Sequence, residues 1–226
     1  MRKASLREKI LQMDLLGTAL IMGAIVSLLL ALQYGGQSLP WRSSLVIGLL
    51  VGCVLILAAF STWTAAQGER SMVPPRLLKQ KNVFVSGIFA FTLVGGYYLV
   101  LYSLPIYFQS VDNATATGSG IRNLPLILAV SICTIISGAL ISTYGFTIPI
   151  QVISAVLVAL GSGLLYTLDI TPSLGRAIGF QIVCGVGWGF AIQSHIIAVQ
   201  ASVPDEDIPT ATSIVLCESL AIHIIF

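Results

Sequence analysis

Two long stretches without a charged residue constrain this chain more than any other feature of its sequence. Residues 82–111 contain no Lys, Arg, Asp or Glu, and neither do residues 123–168. A helix needs about 20 predominantly apolar residues to cross about 30 Å of hydrocarbon, and hydrocarbon tolerates the backbone only in helices or closed barrels. The two stretches therefore predict membrane helices. The more polar segment between them, within Leu104 to Leu126, predicts the outer turn of a helical hairpin.

The composition extends this prediction to the whole chain. Of the 226 residues, 56% are hydrophobic and 9% are charged, which is too few charges to cover a soluble protein of this length. The basic residues lie in clusters between the apolar segments, so a nucleic-acid partner is not expected. The four cysteines lie inside apolar runs without C-x-x-C spacing, so the sequence predicts neither a metal site nor a cofactor.

Uncharged segments of about 20 residues predict an all-α membrane protein, a polytopic bundle of about seven transmembrane helices. The expected spans are 15–32, 44–63, 83–108, two spans within 123–168 on either side of a turn at 142–149, 177–199, and a last helix that starts near residue 209. Asp14 is expected to cap the first span, with a role in transport as the alternative. Asp205 or Asp207 is expected to cap the last helix.

The distribution of positive charge divides the chain and predicts its orientation. Most of the 11 basic residues lie before the first span or between the second and third, and short loops rich in Lys and Arg stay in the cytoplasm. We therefore expect a cytoplasmic N-terminal segment at 1–14, two linking membrane helices at 15–68, a cytoplasmic basic loop at 69–82 and a C-terminal helical bundle at 83–226. Asn113 starts an N-x-T sequence on the side expected to be outside, which makes it a glycosylation candidate.

Two groups of glycines are spaced for close helix packing. Gly48 and Gly52 form a G-x-x-x-G pair in the second span, and Gly185 and Gly189 belong to the sequence GVGWG in the sixth. Glycine lets two helix backbones approach closely in a membrane. A dinucleotide-binding interpretation of GVGWG fails, because such glycines must follow a strand. We expect both groups to pack against neighbouring helices.

Several polar side chains fall inside the third span, where a polar residue is by default a functional candidate. Tyr98, Tyr102 and Gln109 share a helix face with Pro105, and this polar, kinked stripe should face protein or a cavity. For the nearby Tyr107, anchoring at the membrane interface is an equal alternative.

The sixth span carries a second set of polar residues, namely Gln181, Trp188, Gln193, His195 and Gln200. For His195, hydrogen bonding to another helix is the simpler interpretation, because no carboxylate lies near it in sequence. A titrating role is the alternative. Glu218 is the single acidic residue inside the last expected helix.

Short motifs along nearly the whole chain resemble one family of transporters. They are DLLGTAL at 14–20, PPRLLKQKNV at 74–83, LPIYFQ at 104–109, SGIRNLPLI at 119–127 and GFQIVCGVGWGFAIQ at 179–193. In these motifs the chain resembles the C-terminal half of the fourteen-span fungal drug:proton antiporters of the major facilitator superfamily, which include mycotoxin and multidrug efflux pumps. The resemblance implies a partial major facilitator fold, an integral protein of the plasma membrane with a cytoplasmic N-terminus, and no enzymatic activity.

The resemblance also implies a mechanism, proton-coupled efflux of small amphipathic molecules such as toxins or drugs. The implied partners are the lipid bilayer, the substrate and protons. The residues expected to line the substrate path are Tyr98, Tyr102, Gln109 and Gln193. The candidates for proton coupling are His195 and Glu218.

The chain departs from the family pattern in two respects, and the first is its end, where Glu218, Ala221 and Ile222 stand in place of a Gln and a Gly pair. The second concerns a motif of the first half. The first half of these transporters carries a cytoplasmic loop of G-x-x-x-D-R-x-G-R type, and no Asp-Arg pair occurs in this sequence. The sequence therefore predicts an incomplete, truncated half whose N-terminal partner half is missing. The alternative is a non-transporting membrane protein that only associates with other helices. A membrane-embedded enzyme is not expected, because the sequence has no cluster of Asp or His at helical spacing.

Overall fold

The computed structural model of this chain describes residues 14–68, 71, 73–168 and 173–225, with side chains up to residue 216. Within these residues all regular elements are helices, apart from one isolated bridge between Gly35 and Leu39. The helices are α1 (Leu15–Tyr34), α2 (Ser44–Gln67), α3 (Pro75–Leu78), α4 (Lys81–Val111), α5 (Ala116–Tyr144), α6 (Thr147–Tyr166), α7 (Leu174–Ser202) and α8 (Ile208–Ile225).

Six helices of the described chain are long and apolar enough to cross a membrane, namely α1, α2 and α4 to α7. This finding confirms the predicted all-α polytopic membrane fold. α8 begins close to the start expected for the seventh helix, and the carbonyl of Asp207 accepts a hydrogen bond from the amide of Ala211 at 2.9 Å. The predicted N-terminal segment before Asp14 and the side chain of Glu218 lie outside the described residues.

The turn between α4 and α5 is shorter than the sequence indicated. α5 begins at Ala116 rather than near residue 123, because the hydroxyl of Thr115 caps it by accepting a hydrogen bond from the amide of Gly118 at 3.1 Å. Most of the polar residues after the turn are therefore helical. The turn between α5 and α6 is also tight, since Gly145 ends α5 with a left-handed φ of 73°.

The chain divides into two compact units, which are described separately. The described residues up to Lys81 form unit 1, and Asn82–Ile224 form unit 2. In unit 1, α1 and α2 pack against each other. Gly36 in their connecting turn has a left-handed φ of 78°, and a Cβ added there would lie 2.9 Å from the indole nitrogen of Trp41. The turn therefore needs glycine on both grounds.

Unit 2 is organised around α7. Of the residues in its most apolar 18-residue segment 50% are buried, which is the largest share among the six spans. Glycines allow α5 and α6 to approach it closely. A Cβ added to Gly185 would lie 2.6 Å from the Cβ of Ala129 in α5, and one added to Gly187 would lie 2.7 Å from the amide nitrogen of Val158 in α6. The core of the unit consists of Leu104, Phe108, Leu126, Val130, Val158, Ala177, Cys184 and Trp188.

Candidate functional site

The buried polar side chains of α7 form one line along the helix. Gln181, Trp188 and His195 are each at most 1% exposed. They follow one another at intervals of seven residues, and seven residues fall only about 20° short of two helical turns. All three side chains therefore leave α7 in nearly the same direction, and we call these three residues the polar stripe of α7.

Several atoms of the polar stripe have no hydrogen-bond partner in the described part of the chain. These atoms are Oε1 and Nε2 of Gln181, Nε1 of Trp188 and Nε2 of His195. Nδ1 of His195 lies 2.9 Å from the carbonyl oxygen of Ala191, so Nδ1 carries the proton in the neutral ring and Nε2 is left as an acceptor. Most buried polar atoms in proteins are hydrogen-bonded, so these exceptions need an explanation.

Aromatic rings of α4 lie against the polar stripe. The ring of Tyr97 meets that of Trp188 edge-on with centroids 5.6 Å apart, and the ring of Phe89 lies 6.5 Å from that of His195. The close glycine contacts with α5 and α6 fall on the two sides of the stripe. The stripe therefore faces the interior of unit 2, with aromatic rings of α4 against it.

A second polar group joins α4 to α5 beside their connecting turn. Asp112 and Arg122 form an ion pair, and the guanidinium carbon of Arg122 lies 5.6 Å from the ring centroid of Phe108, within the range of a cation–π contact. Nearby, Nε2 of Gln109 donates a hydrogen bond to Oγ of Ser119 at 2.9 Å. We call these five residues the α4–α5 clasp.

A cavity of about 270 Å³ lies beside the clasp, lined by Phe108, Asp112, Arg122, Leu174 and Ala177. The side chains of Asp112 and Arg122 are 26% and 34% exposed, whereas Phe108 and Ala177 are buried. The cavity therefore combines a partly exposed ion pair with buried apolar surface.

The clasp was not predicted, although the sequence contains a signal for it. Asp112 and Arg122 are the only charged residues between positions 82 and 168, and they have opposite signs. They also lie within the predicted outer turn of one helical hairpin, which keeps them close in space. Asn123 was missed too, and its Nδ2 donates to the carbonyl of Leu101 at 3.2 Å.

The four residues predicted to line a substrate path have different surroundings. Tyr98 is half-buried and Tyr102 is 54% exposed, both on α4. Gln109 is part of the clasp. Gln193 is half-buried and lies against α5, where its Cγ would be 3.4 Å from a Cβ added to Gly138. None of the four lines the cavity beside the clasp, and their role stays a prediction.

The two glycine groups also have different surroundings. Like Gly185, Gly189 touches α5, since an added Cβ would lie 2.6 Å from the Cβ of Cys133. At Gly48 and Gly52 an added Cβ would meet no described atom within 4 Å, because the buried face of α2 consists of other residues. The described structure therefore supplies no helix against this pair, and its packing role stays a prediction.

The remaining candidates lie at helix ends. Asp14 caps α1 as predicted, since its Oδ1 accepts a hydrogen bond from the amide of Gly17 at 3.0 Å. The same oxygen accepts a second bond, from the indole nitrogen of Trp63 at 2.8 Å. Asn113 is exposed and has a left-handed φ of 51°. Tyr107 is half-buried, with its ring 5.5 Å from that of Phe108.

Comparison with known proteins shows what this bundle is similar to. The family model of the fungal trichothecene efflux pumps matches residues 1–226. An MFS-type transporter of Trichoderma harzianum is 45% identical over 210 residues, which are 93% of this chain and 36% of the relative. A probable efflux pump of Penicillium aethiopicum is 45% identical over 213 residues, which are 94% of this chain and 38% of the relative. The chain thus spans less than two fifths of the length of these relatives.

Proposed function

Because this chain belongs to the fungal trichothecene efflux pump family, we propose that it supplies the C-terminal helices of a proton-coupled exporter of small amphipathic molecules. The family match over residues 1–226 carries this proposal. The buried polar residues of unit 2 support it, because polar side chains inside a membrane bundle are costly and are typical of transport paths. Transporters of this superfamily bind substrate near the midplane, at the interface between repeated halves.

The substrate path is proposed to include Tyr98, Tyr102, Gln109 and Gln193. Their amide and phenol groups suit ligands that combine an apolar body with a few hydrogen-bonding oxygens. His195 and Glu218 are the proposed proton-linked residues. The N-terminus and the basic loop are proposed to face the cytoplasm, with Asn113 outside, in the plasma membrane.

A chimera tests the transport proposal directly. Residues 1–226 would replace the matching segment of the Trichoderma harzianum relative, and retention of a fluorescent amphipathic dye would be measured in cells that lack their own efflux pumps. We expect the chimera to lower dye retention as the unmodified relative does, and a protonophore to abolish the effect. A chimera that reaches the membrane in normal amount but does not export, while the unmodified relative does, would contradict the proposal.

One observation favours a second candidate function, a non-transporting membrane protein that associates with other helices. Gly48 and Gly52 present a G-x-x-x-G face that no described residue covers, and such a face accepts a second helix in membranes. The same chimera separates the two functions, because a protein that only associates with helices would not restore export.

A further inference from the structure

The polar stripe of α7 and the cavity beside the clasp lie on one line along the helix. Ala177 lines the cavity and precedes Trp188 by eleven residues, which close about three helical turns. Gln181 follows Ala177 by about one turn on the same face. The stripe therefore begins next to the cavity and continues along α7 as far as His195.

The unpaired atoms of the stripe require a small partner that can both donate and accept hydrogen bonds. Gln181 offers a donor and an acceptor, Trp188 a donor and His195 an acceptor. No protein group pairs with these atoms within the described residues, and leaving them unpaired costs free energy. Water serves donors and acceptors alike, and buried waters in proteins bond to groups of this kind.

We propose that unit 2 contains a hydrated track along α7, in which water enters through the cavity beside the clasp and binds at Gln181, Trp188 and His195. The cavity of about 270 Å³ has room for several water molecules. The partly exposed ion pair of Asp112 and Arg122 provides a polar opening.

The dimensions of the track agree with this proposal. From Ala177 to His195 the helix rises about 27 Å at 1.5 Å per residue, close to the ~30 Å thickness of the hydrocarbon. α4 meets the stripe through the rings of Tyr97 and Phe89.

The track itself does not depend on transport. One consequence of the track rests on the proposed function. If His195 is linked to proton movement, the track supplies the contact with solvent that His195 needs. A failed chimera experiment would leave the track intact, and a dry stripe would leave the family-based transport proposal intact.

Radiolytic hydroxyl-radical labelling of the intact chain in lipid nanodiscs tests the track, with mass spectrometry as the readout. The radicals form from water, so a buried side chain is labelled efficiently only where water is bound beside it. We expect Trp188 and His195 to be labelled several-fold faster, after correction for intrinsic reactivity, than Leu126 and Cys133. These two controls are also buried, but they are apolar residues of α5 at the close contacts with Gly185 and Gly189 of α7. Labelling of Trp188 and His195 as slow as that of the controls would overturn the proposal.

A pair of variants tests the route of entry. Leu174 lines the cavity and is 54% exposed, so Leu174→Trp should fold and fill the opening. Ile182 is 44% exposed on another face of α7, so Ile182→Trp is the matched control. We expect Leu174→Trp to lower the labelling of Trp188 and His195 several-fold and Ile182→Trp to leave it unchanged. Labelling that persists with Leu174→Trp, or that falls equally in both variants, would contradict entry through the cavity.

Discussion

At the scale of single residues, Asp14 illustrates how one carboxylate orders the end of a helical hairpin. Its Oδ1 accepts hydrogen bonds from the amide of Gly17 and from the indole nitrogen of Trp63. The first bond satisfies a helix-end amide and places negative charge at the positive end of the helix dipole. The second links the start of α1 to α2. The carboxylate thus stabilises both a helix end and the contact between two helices.

These two contacts predict a graded effect of substitution at position 14. Asp14→Ser should keep the helix cap but lose the reach to Trp63, whereas Asp14→Ala should lose both. We expect Asp14→Ala to lower the free energy of unfolding by about 2 kcal/mol, the sum of about 1 kcal/mol for a cap and about 1 kcal/mol for a net hydrogen bond. Asp14→Ser should lower it by about half as much. Thermal and denaturant unfolding in detergent measure both values.

The control for this prediction is the double variant Asp14→Ser with Trp63→Phe. Once the serine has removed the bond, losing the indole nitrogen should change stability no further beyond the small effect of ring size. If Asp14→Ser proves as stable as the unchanged chain, the hydrogen bond to Trp63 contributes nothing. If it is as unstable as Asp14→Ala, the cap contributes nothing.

Local contacts were predictable at the residue scale and distant ones were not. The cap by Asp14 follows from an acidic residue directly before an apolar run. Its bond to Trp63 spans 49 positions, and no periodicity in the sequence relates the two. The ion pair of Asp112 and Arg122 lies between these cases, because two isolated opposite charges fall within one predicted turn.

At the scale of helices, the packing of unit 2 depends on how closely α7 approaches its neighbours. Lipid tails are as apolar as the helix side chains, so no hydrophobic driving force holds helices together inside a membrane. Close van der Waals contact has to do so instead. Gly185 and Gly189 provide it towards α5, and Gly187 provides it towards α6. Alternate glycines of one short motif therefore serve two different helices.

This packing predicts opposite effects of one substitution at two glycines of α7. A Cβ at Gly185 would lie 2.6 Å from the Cβ of Ala129 and 2.9 Å from the carbonyl oxygen of Leu126, whereas a Cβ at Gly179 would meet nothing within 4 Å. Gly185→Ala should therefore destabilise the bundle by about 1–3 kcal/mol through overpacking. Gly179→Ala should leave stability unchanged or raise it by up to about 1 kcal/mol, because alanine favours helix.

Detergent unfolding of the two glycine variants, compared with the unchanged chain, measures this difference. Gly185→Leu should lower stability further than Gly185→Ala, since a longer side chain has even less room at that contact. Equal stability of the Gly185→Ala and Gly179→Ala variants would show that α5 does not pack against α7 in the membrane.

The existence of the helices was predictable and their ends were less so. Apolar runs of sufficient length permit only helices in a bilayer, which is why six candidate spans coincide with predicted ones. Their ends are decided by caps such as Thr115, which the count of uncharged residues does not detect. Glycine spacing also could not distinguish Gly185 and Gly189, which touch α5, from Gly48 and Gly52, whose face is open.

At the scale of the whole molecule, the basic residues predict the orientation of the chain in the membrane. Arg and Lys near the chain start and in the loop before α4 predict a cytoplasmic location for both segments. In chains whose four native cysteines are replaced by alanine or serine, a Cys placed at Asn113 should react with an impermeant thiol reagent added to intact cells. A Cys placed at Gln80 should react only after the cells are opened. Protection of the first and reaction of the second would reverse the orientation. The chain without any cysteine provides the blank.

The last prediction is that the 226-residue chain expressed alone does not export substrate in a proton-dependent way. Alternating access requires two bundles that move about a shared site, and this chain spans 36–38% of the relatives' length. In a dimer of this chain, the second copy would have to replace the N-terminal half of the family, which has a different sequence. The second copy lacks the Asp-Arg loop that the family resemblance places in that half. We therefore expect cells that produce the chain alone to retain a fluorescent amphipathic dye as strongly as cells that produce none, while cells with the chimera retain less. Lower retention with the chain alone, abolished by a protonophore and by His195→Gln or Glu218→Gln, would contradict this prediction and would assign the proton-linked residues in a working half-size pump.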